Sequence, residues 1–362
     1  MSSPAEPIPP AELGEAPPPA ETVSSWRRRL RDALLTPIVP LAHRTLLAIP
    51  EALVPSVGSA LGGLYRLASR RERGILRRNL ARVLDVDPAS QRGRRMERDV
   101  FRHQAVAALE TVHGIQRPER LVVEGLGDLR VALERAEERR RGQVLITAHL
   151  GAWELIGAFV AGASAKRFFE VAKPSRIAPA NRLLAAMRRR AGTRVLWAGR
   201  RALLREMVLA LRQGDTVGFA MDQKPDGLRG PVVEFFGQPT EFVAGPATLA
   251  LRTGATVLAV FCVRLAPMQY RLLVETVAWD EEELAAPAES AAARQQVTMH
   301  RVDRLTQRFA AVIERAIRSH PEQWPWNYRR WVFPDEPWTG ARGREKRPSG
   351  GPSAGGAAAS AE

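Results

Sequence analysis

The sequence predicts an α/β fold, a single catalytic domain on a mixed sheet preceded by an N-terminal helical, membrane-associating segment. Three observations predict it. From about Phe101 onward, short apolar runs alternate with amphipathic stretches of helix length, the pattern of strands buried in a sheet and covered by helices. Ahead of them, residues 33–67 are strongly apolar but interrupted by Pro37, Pro40, Pro50 and Pro55. Finally, a histidine with a nearby carboxylate, His149 and Glu154, stands at the end of the apolar run Val144–Ile146.

Taken in order, residues 1–22 are rich in Pro, Ala and Glu and read as a disordered lead-in. Residues 23–100 form the helical membrane-associating region. A standard span needs ~20 largely apolar residues in one stretch, and His43, Arg44, Glu51 and the prolines break this one. An interfacial or re-entrant segment fits better. Trp26 with Arg27–Arg29 on one side, and Tyr65, Arg66 and Arg70–Arg73 on the other, resemble aromatic and cationic anchors at a membrane surface. The competing reading is a helical hairpin packed on the catalytic domain.

Residues 101–338 are assigned to the catalytic domain. Val144–Ala148, Thr216–Ala220 and Thr256–Val263 suit buried strands. Arg201–Gln213 carries Leu203, Met207, Ala210 and Leu211 at helical spacing and ends at Gly214. Thr298–Ile317 reads as a late amphipathic helix ending near His320, before Pro321. Residues 339–362, dominated by Gly, Ser, Ala and Pro, read as a disordered tail.

Lys plus Arg number 54 against 39 Asp plus Glu, a formal charge of +15. That excess favours anionic partners. No nucleic-acid-binding motif accompanies it, so no nucleic-acid partner is expected. Clusters such as Arg139–Arg141 and Arg188–Arg190 read as solvated helix faces. The single cysteine, Cys262, excludes an intrachain disulfide, and its apolar setting predicts a buried, inert thiol. The remaining histidines form no short ligand motif, so no metal site is expected.

An imidazole titrates near neutrality and can take a proton from an alcohol, while a carboxylate beside it fixes its tautomer and stabilises the imidazolium. His149 and Glu154 supply that pair. Five residues on one helix span ~140°, so the two would not share a helix face. His149 is therefore placed before the helix: a strand ends near Ala148, the chain turns over His149–Gly151, and a helix begins around Ala152. Gly151 would let backbone approach substrate, and amides at the helix start would help hold an oxyanion. Taken alone, this spacing favours a structural histidine. The blocks that follow it reverse the balance.

Those blocks are Lys173-Pro174 with Asn181-Arg182; Gly218-Phe-Ala-Met-Asp222-Gln223; Val233-Glu-Phe235-Phe236-Gly237 leading to Gly245-Pro246; and Pro321-Glu-Gln-Trp324-Pro-Trp326-Asn-Tyr-Arg329-Arg330-Trp331. Together with His149 and Glu154, and in this order, they resemble the bacterial lipid A biosynthesis acyltransferase family, which also includes phosphatidylinositol mannoside acyltransferases. The resemblance covers roughly residues 25–335. It implies a glycerolipid-acyltransferase-like domain with no bound cofactor, at the cytoplasmic face of a bacterial inner membrane. The acyl donor would be a thioester of acyl carrier protein or coenzyme A, and the acceptor a hydroxyl of a lipid A precursor. The partners implied are the acyl carrier protein or acyl-coenzyme A, the glycolipid acceptor and inner-membrane lipids. His149 would be the general base and Glu154 its orienter, with direct attack and no acyl-enzyme.

Substrate contacts are expected from Lys173, Arg176, Asn181 and Arg182, and from Asp222 and Gln223, which would otherwise hold the active-site loop or cap a turn. Phe235 and Phe236 would line an acyl groove, or else pack as core. Arg329 and Arg330, with Trp324, Trp326 and Trp331, would meet headgroups or the acyl carrier, or else cap the domain. Lys173 stands where the family commonly has arginine, and Ala152 where it often has asparagine. The alternatives are acylation of phosphatidylinositol mannoside or glycerol phosphate, and a non-catalytic basic protein that binds membranes peripherally.

Overall fold

A computed structural model describes residues 26–139, 141–225, 230–279, 291–331 and 333. The predicted lead-in 1–22 and tail 339–362 lie outside the described residues. All elements below belong to a compact unit that ends at Trp331.

Helix α1 (Trp26–Leu47) contains Pro37 and Pro40 and buries none of its residues. After Pro50 the chain makes a short 3₁₀ turn, Glu51–Leu53, and enters α2 (Val54–Ala68), turning by 94° between the two apolar segments. Helices α3 (Arg70–Val83) and α4 (Gln91–Gln116) follow. The side chain of Ser90 caps α4 by accepting from the Gly93 amide at 3.0 Å. Gly62 lets α2 lie directly on α4, since a Cβ there would sit 2.6 Å from the Phe101 carbonyl oxygen. No single described helix is long and apolar enough to cross a membrane. The boundary placed between residues 100 and 101 falls inside α4, a continuous helix that also packs on the 3₁₀ turns Trp153–Leu155 and Pro321–Gln323.

The sheet comprises β1 (Val122–Glu124), β2 (Gln143–Thr147), β3 (Phe168–Ala172), β4 (Thr193–Trp197), β5 (Thr216–Ala220), β8 (Thr256–Ala266) and β9 (Gln269–Thr276), while β6 (Val232–Phe235) and β7 (Gln238–Glu241) make a separate hairpin. Its order is β1-β9-β8-β2-β5-β3-β4, parallel except where β8 meets β9 antiparallel. The three predicted strands fall on β2, β5 and β8. They are neighbours at the centre, which is why their sequences are continuously apolar: β2 is buried at all five positions.

Helices α5 (Leu126–Glu138), α6 (Ile156–Ala163), α7 (Ala178–Arg190), α8 (Leu203–Arg212), α9 (Gly245–Thr253) and α10 (Ala291–Ser319) complete the unit. The predicted helix Arg201–Gln213 corresponds to α8, and Gly214 beyond it has φ +81°. The late helix starts earlier than expected, at Ala291. Cys262 is fully buried on β8, and burial raises its thiol far above the ordinary range.

One buried ion pair ties α4 to the sheet. Glu110, with no solvent exposure, accepts two bonds from Arg264 of β8 at 2.8 Å each and one from the Tyr270 hydroxyl of β9 at 2.7 Å. Removing one member of such a pair leaves an uncompensated buried charge, typically costing about 3–5 kcal/mol. Glu110→Ala should lose about that much stability in denaturant unfolding, whereas an unchanged midpoint would mean the pair contributes nothing.

Candidate active site

The carboxyl ends of parallel strands are where open α/β sheets place ligands. Here the ends of β2 and β5, adjacent and in register from Gln143↔Thr216 to Thr147↔Ala220, carry His149 and Asp222 two residues beyond each strand. Their meeting follows from that register. His149 Nδ1 lies 2.8 Å from Asp222 Oδ1. The other oxygen, Oδ2, accepts the indole N–H of Trp324 at 2.8 Å. Asp222 is only 1 % exposed. Burial alone would raise its carboxyl, but His149, the bonds from His149 and Trp324, and the His149 backbone amide outweigh burial and hold it below the usual carboxylate range.

Burial likewise opposes charge on His149, yet the Asp222 charge and hydrogen bond, then the charges of Glu154 and Glu170, raise its pKa above the ordinary value. The Gln223 side-chain amide donates to Nε2 at 3.3 Å, and Trp153 meets the ring edge-on at 4.5 Å. A carboxylate on Nδ1 selects the tautomer with its proton there, leaving Nε2 as the base. The imidazole is about one-fifth exposed, at 21 %.

Glu154 does not take the orienter's position expected of it. Both its oxygens accept from Arg188, at 2.7 and 3.0 Å. Arg188 also contacts Glu170 of β3 at 3.1 Å. The physical reason is the path of the chain: Trp153–Leu155 form a 3₁₀ turn before α6 starts at Ile156, one turn later than predicted, and this points Glu154 toward α7. One guanidinium thus serves two carboxylates close enough to His149 to influence its charge. Burial, then the Glu154 charge, push Glu170 up to about 7, against the opposing pull of Arg188 and His149.

Gly151 has φ +59° and pairs with Cys262 across the sheet. Its amide donates to the Gln323 carbonyl at 3.1 Å, that of Ala152 to the Cys262 carbonyl at 2.9 Å, and that of Leu150 to the Ala148 carbonyl at 2.7 Å. These three amides, in the turn ahead of the 3₁₀ start at Trp153, are therefore committed to carbonyls. Gly151 serves close approach to β8 instead of to substrate, because a Cβ there would clash with the Cys262 carbonyl. Gly151→Ala should be destabilised by more than about 1 kcal/mol, read as a lowered Tm; an unchanged Tm would contradict this packing. Ala152 is buried in the core at 1 % exposure.

Other predicted residues divide by location. Lys173 lies exposed just past β3, two strand spacings, or about 10 Å, along the same sheet edge from β2. Arg176 is exposed, and its carbonyl accepts from Arg31. Asn181 bonds both the amide and the carbonyl of Ser175 at 2.9 Å, so it shapes the loop after β3. Arg182 reaches Thr36 of α1 at 3.3 Å. The bonds of Arg176, Asn181 and Arg182 thus run to α1 and within the loop after β3, away from His149 and Asp222.

Phe235 and Phe236 are core: both are buried and packed against Trp324 and Trp331, with Phe236 also on Trp326. Trp324, Trp326 and Arg330 are buried too, which suits the capping alternative rather than headgroup contact. Arg330 donates to the Glu241 carbonyl at 2.8 Å and lies over Phe242, and burial lowers its pKa to about 10. Arg329 is half-buried beside it. This aromatic block holds the Trp324 indole against Asp222.

Sequence reasoning missed Arg188, Glu170 and Trp324 as neighbours of the His149–Asp222 pair. Arg188 is 4 % exposed, not part of a solvated face. In α7, Met187 and Arg188 turn inward and Arg189 and Arg190 outward, a division that three consecutive arginines do not show in sequence. Among the described residues, no group of three or more His, Cys, Asp or Glu could hold a metal.

The profile of a family described as bacterial lipid A biosynthesis acyltransferase matches residues 24–332. The chain is 32 % identical to a phosphatidylinositol mannoside acyltransferase of Mycolicibacterium smegmatis, over 60 % of this chain and 71 % of the relative. It is 30 % identical to a protein of the same name from Mycobacterium tuberculosis, over 52 % and 60 % respectively. It is 28 % identical to the lipid A biosynthesis palmitoleoyltransferase of Escherichia coli, over 78 % of this chain and 86 % of the relative.

Proposed function

The chain belongs to the bacterial lipid A biosynthesis acyltransferase family and transfers acyl groups; from that premise we propose that it moves a fatty acyl group from a thioester of acyl carrier protein or coenzyme A to a glycolipid hydroxyl, with His149 as general base and Asp222 as its orienter. The observation that carries this reading is the 2.8 Å bond between His149 Nδ1 and a buried carboxylate, which leaves Nε2 free to act as base. The acceptor hydroxyl displaces the Gln223 amide from Nε2 and gives its proton there. Its oxygen attacks the thioester carbon, the tetrahedral oxyanion collapses, the C–S bond breaks, and the imidazolium returns the proton to the departing thiolate. Ester and free thiol result, without a covalent enzyme intermediate. Cys262, buried beneath the site, is no nucleophile.

Glu154, Arg188 and Glu170 act on His149 from a distance. Where Glu170 is ionised, above its raised value of about 7, two carboxylates share one cation and leave local negative charge that favours the imidazolium formed during transfer. A lipid A precursor is the proposed acceptor, supported by the family profile and the Escherichia coli relative. Phosphatidylinositol mannoside is a second reading, favoured by the Mycolicibacterium smegmatis relative.

The proposed seat is the cytoplasmic face of the bacterial inner membrane. Trp26, Leu30, Leu34, Ile38 and Leu41, spaced three or four apart on α1, are all more than half exposed; such an apolar stripe suits a helix lying in a bilayer interface. The test offers purified protein both donor types with lipid A precursor and mannolipid acceptors, and identifies products by mass spectrometry. Acylated lipid A precursor is expected. Acylation of mannolipid alone would replace the first acceptor with the second, and no acylated lipid with any pairing would refute the substrate assignment.

A further inference from the structure

We propose that the angle between α1 and α2 holds the phosphate of an anionic membrane phospholipid, gripped by Arg117, Arg120 and Arg190. A cavity of about 520 Å³ lies at this angle, lined by the end of α1, the 3₁₀ turn at Glu51, the end of α4 and the end of α7. Arg117 and Arg120 both donate to one oxygen of Glu51, Oε1, at 3.3 and 3.0 Å. Arg190 lines the same cavity and has no carboxylate partner among the described residues. Three cations therefore face one carboxylate. His113 does not add to them as an open donor, since its Nε2 is bonded to the Leu46 carbonyl at 3.0 Å.

Two guanidinium groups converging on one oxygen reproduce the way arginines hold a phosphate oxygen. Glu51 acts as an internal stand-in that a phosphate can displace. The occupant is assigned to a bilayer lipid because the two segments that meet at the break carry exposed apolar side chains: Leu41 of α1 and Leu53 of the 3₁₀ turn are 64 % and 51 % exposed. A bilayer surface contacting both segments would bury these side chains and present its phosphates at the angle between them. The site is distinct from the catalytic pair, although α7 serves both, sending Arg188 to Glu154 and Arg190 to the cavity.

This inference rests on the membrane seating within the proposed function. It is tested by co-sedimentation of the full chain with phosphatidylcholine vesicles and with phosphatidylcholine–phosphatidylglycerol vesicles at one ionic strength. Wild type should prefer the anionic vesicles. R117Q/R120Q/R190Q should lower partition onto them by about tenfold or more while keeping its binding to neutral vesicles and its circular dichroism. R139Q/R212Q/R252Q, which removes equal charge from exposed positions ahead of β2, β5 and β8 that do not line the cavity, should keep the preference. E51Q, which removes the internal competitor, should strengthen it, an arm that does not depend on the triple variant folding.

An equal loss in the control triple, or no gain with E51Q, overturns the site in favour of general surface charge. Abolition of the preference by inorganic phosphate at constant ionic strength assigns the cations to free phosphate and overturns the lipid. Failure of wild type to bind either vesicle refutes the seating as well as the site. Acyl transfer to a detergent-dispersed acceptor reports the chemistry separately, so failure here is distinguishable from failure of the acyltransferase reading.

Discussion

His149→Ala should reduce acyl transfer by about 10²–10⁴-fold, the range typical of losing a positioned general base, while the protein keeps its fold. The ring contributes one bond to Asp222, one to Gln223 and an edge contact to Trp153, and is partly exposed, so its removal should cost far less in stability than in rate. Product formation by mass spectrometry, paired with thermal unfolding, checks both halves. Retained turnover in a folded variant would remove His149 from the chemistry. In wild type the rate should rise with pH through the pKa of His149, which stands above its ordinary 6.5, because only neutral imidazole accepts the acceptor's proton.

Asp222→Asn should cost nearly as much, about 10²–10⁴-fold. An amide that replaces an orienting carboxylate favours the wrong tautomer and cannot stabilise the imidazolium. Its distinguishing signature is in pH. With the Asp222 charge gone, burial of His149 is less opposed, so the rising limb should move to lower pH even as the maximum falls. Glu154→Gln should have a smaller effect on rate, since Arg188 and not His149 occupies both Glu154 oxygens. Equal losses in the two variants, or an unmoved limb in Asp222→Asn, would return the orienter's role to Glu154.

The same pair carries a stability prediction. The raised pKa of folded His149 contributes stability that is fully present below the unfolded value of 6.5 and is lost as pH rises through the folded value. Asp222, whose folded pKa is lowered, contributes stability above the unfolded value of 3.8 that is lost as pH falls through the folded value. Both terms operate between those unfolded values. Wild type should therefore exceed Asp222→Asn in stability by more near pH 5 than above the His149 pKa.

Much of the fold is legible in the chain because burial on both faces leaves a local mark. β2, β5 and β8 are continuous apolar runs, and α8 shows its inward face as Leu203, Met207, Ala210 and Leu211 before Gly214. His149 is legible as well, since it stands where such a run ends. Its partner is not. Glu154 is five residues away and Asp222 is seventy-three, so reading along the chain favours the nearer carboxylate; space favours the farther one, because β2 and β5 are neighbours although β3 and β4 intervene in sequence.

Arg188 and the tryptophans show the same limit. Nothing local separates Arg188 from Arg189 and Arg190 until α7 packs and turns one inward to bridge Glu154 and Glu170. Phe235, Phe236, Trp324 and Trp326 have the composition of a lipid-facing patch and become core only when the β6–β7 hairpin meets the segment after α10. By itself the sequence determined the elements, the position of His149 and the family, since these depend on apolar periodicity and motif order within short segments. The tertiary structure alone decided which carboxylate holds His149, which arginines are buried and where three cations converge at the α1–α2 angle. Those outcomes depend on strand order and helix packing, which bring together side chains that no local pattern connects.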